Sequence, residues 1–137
     1  MATPTGSKIQ VIVVTPEKAV LDEHADFVVL PLHDGEIGIQ WNHAAFVGQL
    51  GPGEFRYTVG GTTVRYYIDG GFAQVRTNTI TVLTAKAIKS TDLSPAKAEE
   101  AKQAAETLPL SNSIERTNRE KAISRASAMG RVAAKNG

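Results

Sequence analysis

The chain has 137 residues, of which 42% are hydrophobic and 21% charged, a composition that indicates a globular protein and excludes a disordered one. Its net charge of +1 gives the whole molecule no strong electrostatic preference for any class of partner. The absence of cysteine excludes disulfides and thiolate metal sites and fits a reducing compartment. No run approaches the ~18 apolar residues of a membrane span, and residues 1–7 carry no secretion or import signal. We therefore expect a soluble, cytoplasmic protein.

Residues 8–88 contain short β-rich runs separated by turn signals. Ile9–Val14 is a β-branched run. A second apolar run, Ala25–Leu30, is predicted to end at Pro31, because proline cannot donate a hydrogen bond to a strand ladder. The dipeptide Asp34-Gly35 then predicts a tight turn.

The clearest predicted hairpin lies in the middle of the chain. Apolar and polar residues alternate over Phe55–Val59, Gly60-Gly61 supplies the positive φ angles of a two-residue turn, and the alternation returns afterwards. Another turn is predicted at Asp69-Gly70-Gly71. Many short strands without helix-length periodicity predict an antiparallel β-sandwich, or flattened barrel, over residues 1–90.

The rest of the chain, residues 91–137, is predicted to form an antiparallel helical hairpin, which makes the fold class α+β. Ser94 can cap a helix whose first position is Pro95, and the alanine-, glutamate- and lysine-rich segment that follows is a strong helix former. Asn112–Glu115 is a capping box for a second helix that runs to about Ala134.

The predicted helices carry stripes of small residues and opposite charge. At about 25 cal/mol per Å², an alanine interface stabilises a helix pair less than a leucine interface does. Residues 92–109 hold two Lys/Arg and four Asp/Glu, whereas residues 110–137 hold six and two. We therefore predict a weakly held hairpin that can detach from the sandwich. The stripes are Ala98, Ala101, Ala105 and Leu108, and Ala122, Ala126, Gly130 and Ala134.

Catalytic signatures are missing from the sequence. It has no phosphate-binding loop, dinucleotide fingerprint or nucleophile elbow. His24, His33 and His43 lack the spacing of metal ligands, and His24 and His33 are predicted to be turn or surface residues. We predict no catalytic residue, metal or cofactor, with a small enzyme that uses these histidines as ligands as one alternative.

The basic second helix raises another alternative, a free-standing binding module for nucleic acid. Its cations are spread around the helix and no aromatic residue is interleaved for base stacking. A solvated helix that contacts an acidic protein surface explains the same residues, so we predict that nucleic acid is not the partner. The cations are Arg116, Arg119, Lys121, Arg125, Arg131 and Lys135.

The segment from Pro31 to Ala44, PLHDGEIGIQWNHA, closely resembles the epsilon subunit of rotary ATP synthases. That family has proline here, then Gly-Glu-x-Gly-Ile, then His-Ala. Further matches follow in the same order over nearly the whole chain, including Gly51–Gly53, which resembles the Pro-Gly turn of the family and predicts a turn here. The other matching segments are Val13–Glu17, Gly70–Val75 with Asn78 and Thr81–Leu83, and Asp92-Leu93 with the helical hairpin.

The resemblance implies a non-catalytic central-stalk subunit, peripheral on the cytoplasmic face of the inner membrane and not inserted into lipid. The sandwich would bind the gamma subunit and the c-ring, with Glu36 near the polar loops of the c-ring and His43 facing the stalk. The hairpin would fold against the sandwich, or extend into the alpha and beta subunits and restrain ATP hydrolysis. The residues alone also allow an exposed turn carboxylate at Glu36 and a loop-ordering role for His43.

The resemblance also implies a partner for the second helix. Its basic residues, when extended, would meet an acidic segment of the beta subunit through ion pairs that oppose rotation. A simple contribution to solubility is the alternative. The candidates are Arg116, Arg119, Lys121 and Arg125.

Some family members bind ATP on the hairpin through an Ile/Leu-Asp-x-x-Arg-Ala motif. The matching stretch, Leu93–Ala98, has serine for the aspartate and Lys97 for the arginine, and lysine lacks the planar fork that grips phosphate. Arg125 and Arg131 do not form the closely spaced arginine pair of the family. We therefore predict weak or absent ATP binding through Lys97, Arg125 and Arg131.

Overall fold

The computed structural model describes residues 8–134, so the predictions for residues 1–7 and for Lys135 lie outside the described residues. Within that range the chain forms strands, then a short 3-10 turn at Ser90–Asp92, then two helices. The strands are β1 (Ile9–Val14), β2 (Ala19–Ala25), β3 (Phe27–Leu32), β4 (Gly35–Ile39), β5 (Phe46–Val59), β6 (Thr62–Arg76), β7 (Thr79–Leu83) and β8 (Ala87–Lys89). The helices are α1 (Pro95–Glu106) and α2 (Ser113–Ala134).

The strands form one sheet in the order β2-β1-β7-β6-β5-β3-β4, with β8 paired to β6. It folds over on itself, so that residues from its strands enclose one apolar core. The prediction of a β-sandwich followed by two helices is confirmed. One ladder departs from the antiparallel arrangement, because β1 pairs with β7 in parallel. Parallel partners require a long connection, and here strands β2 to β6 supply it.

The core of the sandwich consists of large aliphatic and aromatic side chains on the inward phase of the strands. In β1, for example, Ile9, Val11 and Val13 are buried, and the residues between them are partly exposed. Burying such side chains is the main favourable term in folding. Other fully buried members are Val28, Leu30, Phe55, Ile68, Ile80 and Val82.

The predicted hairpin at Gly60-Gly61 is confirmed. Val59 pairs with Thr62, and the two glycines between them have φ angles of +57° and +81°. Glycine adopts such angles without steric cost, which is why this dipeptide sets the register of β5 against β6.

The turns predicted at Gly51–Gly53 and Asp69–Gly71 are wrong. These residues lie inside β5 and β6, where Leu50 pairs with Gly71 and Pro52 pairs with Asp69. Gly71 has φ +111°, and a Cβ there would lie 1.9 Å from the carbonyl oxygen of Leu83. The glycines therefore let the two long strands bend together and let β6 approach β7 closely, whereas the sequence suggested a chain reversal.

The prediction that Pro31 ends a strand is also wrong. Pro31 lies within β3 and pairs with Glu36 of β4. On its other side, the register between β3 and β5 is irregular from Val29 to Leu32, and proline is tolerated at such irregularities because no ladder donor is needed. Strand β2 was not predicted.

The helix-start signals are confirmed in atomic detail. The Ser94 hydroxyl accepts a hydrogen bond from the Lys97 amide, and Pro95 occupies the first turn of α1. The Asn112 side chain accepts from the Glu115 amide at 2.8 Å, while the Glu115 carboxylate reaches back to the Ser111 amide. Helix α1 ends at Glu106.

The hairpin is folded against the sandwich, with α2 in contact with β5 and β6. Ala98 and Ala105 of α1 and Ala126 of α2 are buried, as the small-residue stripes predicted, whereas Leu108 and Ala134 at the ends of the stripes are exposed. A different face of α2 brings Ala128 and Val132 onto the Tyr67 ring of β6.

Candidate interaction sites on the sandwich and hairpin

Glu36 stands at the start of β4, next to the turn that joins β3 and β4. Its side chain is 55% exposed and forms an ion pair with Arg56 at 3.0 Å. Arg56 also contacts Glu54 at 3.2 Å, and Glu54 in turn contacts Arg65 at 2.8 Å. Because the Glu54 side chain is only 7% exposed, the network ties an exposed carboxylate to a charge anchored inside the fold.

His43 lies in the loop between β4 and β5. Its Nδ1 is 2.8 Å from the carbonyl oxygen of Ala44, and its ring meets the Phe46 ring edge-on at a centroid distance of 5.7 Å. The neighbouring Asn42 amide donates to the Asn78 side chain at 2.6 Å. These contacts order the loop and leave His43 partly exposed.

Glu36 and His43 do not form one site. Strand β4 separates them: Glu36 pairs with Pro31 near its first residue, and His43 follows Ile39, its last. At roughly 3.3 Å per residue, the strand from Glu36 to Ile39 alone separates the two positions by about 10 Å.

An exposed apolar stripe crosses the outer face of the sandwich and was not anticipated from the sequence. Val47, Phe72 and Leu83 are 72%, 57% and 54% exposed. Phe72 pairs directly with Leu83, which pairs in turn with Val14 on β1. One sequence signal marks the stripe: Phe72 falls on the polar phase of β6, where its neighbours Ala73 and Val75 point inward.

Two basic residues predicted to meet a partner are engaged inside the folded hairpin. The Arg119 guanidinium donates to the carbonyl oxygen of Glu106 at the end of α1, through Nε at 3.2 Å and Nη2 at 3.0 Å. Arg116 donates to the carbonyl oxygen of Leu110 at 3.1 Å. Both arginines therefore hold the connection between the helices, whereas Lys121 is exposed.

Arg125 joins α2 to the sandwich. Its Nε lies 2.8 Å from Oδ1 of Asp69, and the Tyr67 hydroxyl donates to the same oxygen at 3.3 Å. The Tyr67 ring is fully buried, and this burial, with the adjacent Asp69 carboxylate, raises the pKa of the phenol. Asp69 was missed as a functional residue because its segment was predicted to be a turn.

The three residues suggested as weak ATP contacts lie on different surfaces. Arg131 lines a cavity with Glu36 and Glu54, whereas Arg125 lines a cleft with Lys121. Lys97 is exposed near the start of α1. Lys97 lines neither this cavity nor this cleft.

Within residues 8–134, no group of three or more His, Cys, Asp or Glu side chains is arranged to hold a metal ion. The alternative of a histidine-based metal site therefore receives no support from the described part of the chain. Neither helix in that range is long and apolar enough to cross a membrane.

A sequence model of the ATP synthase delta/epsilon chain β-sandwich domain matches residues 8–90. The chain belongs to the ATP synthase delta/epsilon chain family. It is 36% identical to the ATP synthase epsilon chain of Syntrophobacter fumaroxidans over 95% of this chain and 98% of that relative. It is 49% identical to the epsilon chain of Rhodopirellula baltica over 58% of this chain, and the match spans 62% of that relative.

Solved structures agree with the fold. A chain in the cryo-EM structure of the Euglena gracilis mitochondrial ATP synthase, described as OSCP/F1/c-ring, aligns with a TM-score of 0.81 at 24% identity. The alignment covers 90% of this chain and 79% of the Euglena chain. Membership of the delta/epsilon family confirms the resemblance seen at Pro31–Ala44 and the prediction that the subunit is not itself catalytic.

Proposed function

We propose that this chain is a central-stalk subunit of a proton-translocating ATP synthase, in which the sandwich joins the gamma subunit to the c-ring and the hairpin restrains ATP hydrolysis. The stalk subunit is peripheral, on the cytoplasmic face of the inner membrane. The observation that carries the proposal is the exposed stripe of Val47, Phe72 and Leu83 on an otherwise well-buried sandwich. Large apolar side chains held outward on rigid strands indicate a protein partner.

The stripe suits the gamma subunit, because a permanent partner can keep these side chains out of water. Its residues span β5, β6 and β7, so the surface is rigid before it binds and little ordering entropy is lost. The Glu36 turn is a separate polar surface and suits the polar loops of the c-ring, with the Arg56 contact holding the carboxylate in place. His43, at the other end of β4, is proposed to face the stalk.

The hairpin suits a regulatory role because its contacts with the sandwich are few. When α2 is extended, Arg116, Arg119, Lys121 and Arg125 would be free to meet acidic residues of the beta subunit. In the folded state three of these four cations are bound within the chain. These internal partners also weaken the nucleic-acid alternative, since they leave fewer cations for a phosphate backbone.

A tagged copy of the chain, recovered from detergent-solubilised membranes, tests this function by mass spectrometry of its partners. We expect gamma, alpha and beta subunits with the c-ring. Phe72→Glu should reduce recovery of gamma by roughly tenfold or more, because it buries a charge in the stripe. Thr62→Glu changes an exposed residue on the same strand and should recover as much gamma as the wild-type chain does. Recovery of nucleic acid alone, or of no synthase subunit, would contradict the proposal.

A further inference from the structure

We infer that Asp69 is a latch that holds α2 on the sandwich through Arg125. The inference rests on the proposed regulatory role of the hairpin and names the contact that controls it. Asp69 lies in the bent part of β6, where it pairs with Pro52 of β5. The Asp69 side chain is 17% exposed, compared with 49% for Arg125. The carboxylate is therefore held within the sandwich surface, and the more exposed Arg125 side chain extends from α2 to contact it.

A single oxygen atom joins the polar and apolar parts of the contact. Oδ1 of Asp69 accepts from the Tyr67 hydroxyl and also faces Nε of Arg125. The Tyr67 ring is the surface on which Ala128 and Val132 of α2 pack. Asp69 therefore orients the ring that receives the helix and also attracts the helix electrostatically.

The apolar contact that α2 makes around Tyr67 consists mainly of small side chains. The apolar residues that α2 places on Tyr67 are Ala128, Val132 and the partly buried Met129. Alanine and valine remove little area from water, and apolar burial is worth about 25 cal/mol per Å². Losing one ion pair can therefore shift the equilibrium between the docked and undocked hairpin.

The latch also competes with the proposed beta-subunit contact. Arg125 is one of the cations that would meet the beta subunit, and while it is paired with Asp69 it cannot make that contact. Asp69 thus acts as an internal competitor for a cation needed by the extended hairpin. A half-exposed ion pair is weak enough to be exchanged, which a reversible device requires.

The test uses the free, full-length chain, whose size of 14.6 kDa suits methyl NMR. Nuclear Overhauser contacts from the Tyr67 ring to the Ala128 and Val132 methyl groups report the docked state. Asp69→Asn and Arg125→Gln should each raise the undocked fraction roughly three- to tenfold. The double variant should do no more than either single one, because the two changes remove the same interaction.

Lys8→Gln is the matched control, because it removes an ion pair with Asp26 on the sandwich that does not involve the hairpin. It should leave the methyl contacts unchanged. The charge swap Asp69→Arg with Arg125→Asp should restore docking in part, and unchanged Ile80 and Val82 signals would show that the sandwich is intact. If the hairpin is docked to the same extent in Asp69→Asn and Arg125→Gln as in Lys8→Gln, the proposal that Asp69 holds α2 is wrong. That failure would leave partner recovery from membranes untouched, so the two proposals are tested separately.

Discussion

The sandwich and the hairpin bury very different side chains. The sandwich encloses Phe55, Ile68, Ile80 and other large residues, whereas the buried hairpin residues are alanines and one valine. Area-based energies scale with what is removed from water, so the sandwich supports itself while the hairpin depends on a few specific contacts. One chain therefore combines a strongly packed sandwich with a hairpin that is held by much less buried apolar area.

Phe55→Ala disrupts the core of the sandwich and should have the largest effect on stability. Phe55 is fully buried and contacts the rings of Tyr57 and Tyr66. Truncation of a buried phenylalanine costs about 3–5 kcal/mol, which should lower the free energy of unfolding of the whole chain in urea. Ala126→Gly, in the hairpin, should cost only about 1 kcal/mol. Equal losses in the two variants would remove the distinction between the regions.

Gly71→Ala tests whether the bend in β6 is part of the packed sandwich. A Cβ would meet the Leu83 carbonyl oxygen at 1.9 Å, and the φ angle of +111° is unfavourable for alanine. We expect a loss of about 2–3 kcal/mol in the free energy of unfolding. In Gly61→Ala no atom lies within 4 Å of the added Cβ, so only the unfavourable positive φ angle lowers the stability. This variant should therefore lose less free energy of unfolding than Gly71→Ala. A loss in Gly71→Ala no greater than in Gly61→Ala would contradict the close approach.

Asn112→Ala should weaken the start of α2 without affecting the sandwich. The Asn112 side chain caps α2 by accepting from the Glu115 amide, and loss of such a cap costs about 1 kcal/mol. Hydrogen exchange should accelerate over the first turn of α2, and the sandwich strands should keep their protection. If β1 and β7 lost protection to the same extent, the two regions would unfold as one unit.

Lys8→Gln should have the smallest effect, a slight loss of stability that is present at neutral pH and disappears at acid pH. The Lys8 ammonium, followed by the Gly60 amide, lowers the pKa of Asp26 below its ordinary value of 3.8. A carboxyl whose pKa is depressed in the folded state stabilises the fold above its unfolded pKa and loses that contribution as the pH falls through the folded pKa. In the variant, NMR titration should show the Asp26 pKa rising toward 3.8. An unchanged pKa would show that Lys8 has no such role.

The features that could be predicted from the sequence are those determined by neighbouring residues. Gly60-Gly61 specifies its turn through backbone freedom, and Ser94 and Asn112 specify helix starts through their own side chains. The bends at Gly51–Gly53 and Asp69–Gly71 were predicted as turns, because only pairing with a distant strand distinguishes a bent strand from a reversal.

At the candidate sites, too, local motifs could be recognised from the sequence, whereas contacts between distant segments could not. Glu36 and His43 were recognisable because they stand in a motif, but their separation depends on the direction of β4. The Asp69–Arg125 pair depends on how α2 lies across the sheet, which no local pattern encodes. Of the apolar stripe, only Phe72 could be recognised from the sequence, because it alternates with inward-facing residues of its strand. That Leu83 and Val47 lie beside it is evident only from the strand register.

ATP hydrolysis by synthase that contains the chain ended after Thr91 shows whether the proposed assembly role of the sandwich and the proposed regulatory role of the hairpin can be separated. Subunit recovery is measured on the same preparations. We predict unchanged recovery of gamma and the c-ring, together with faster hydrolysis than in synthase containing the full chain. Equal hydrolysis rates at full incorporation of the shortened chain would contradict the account.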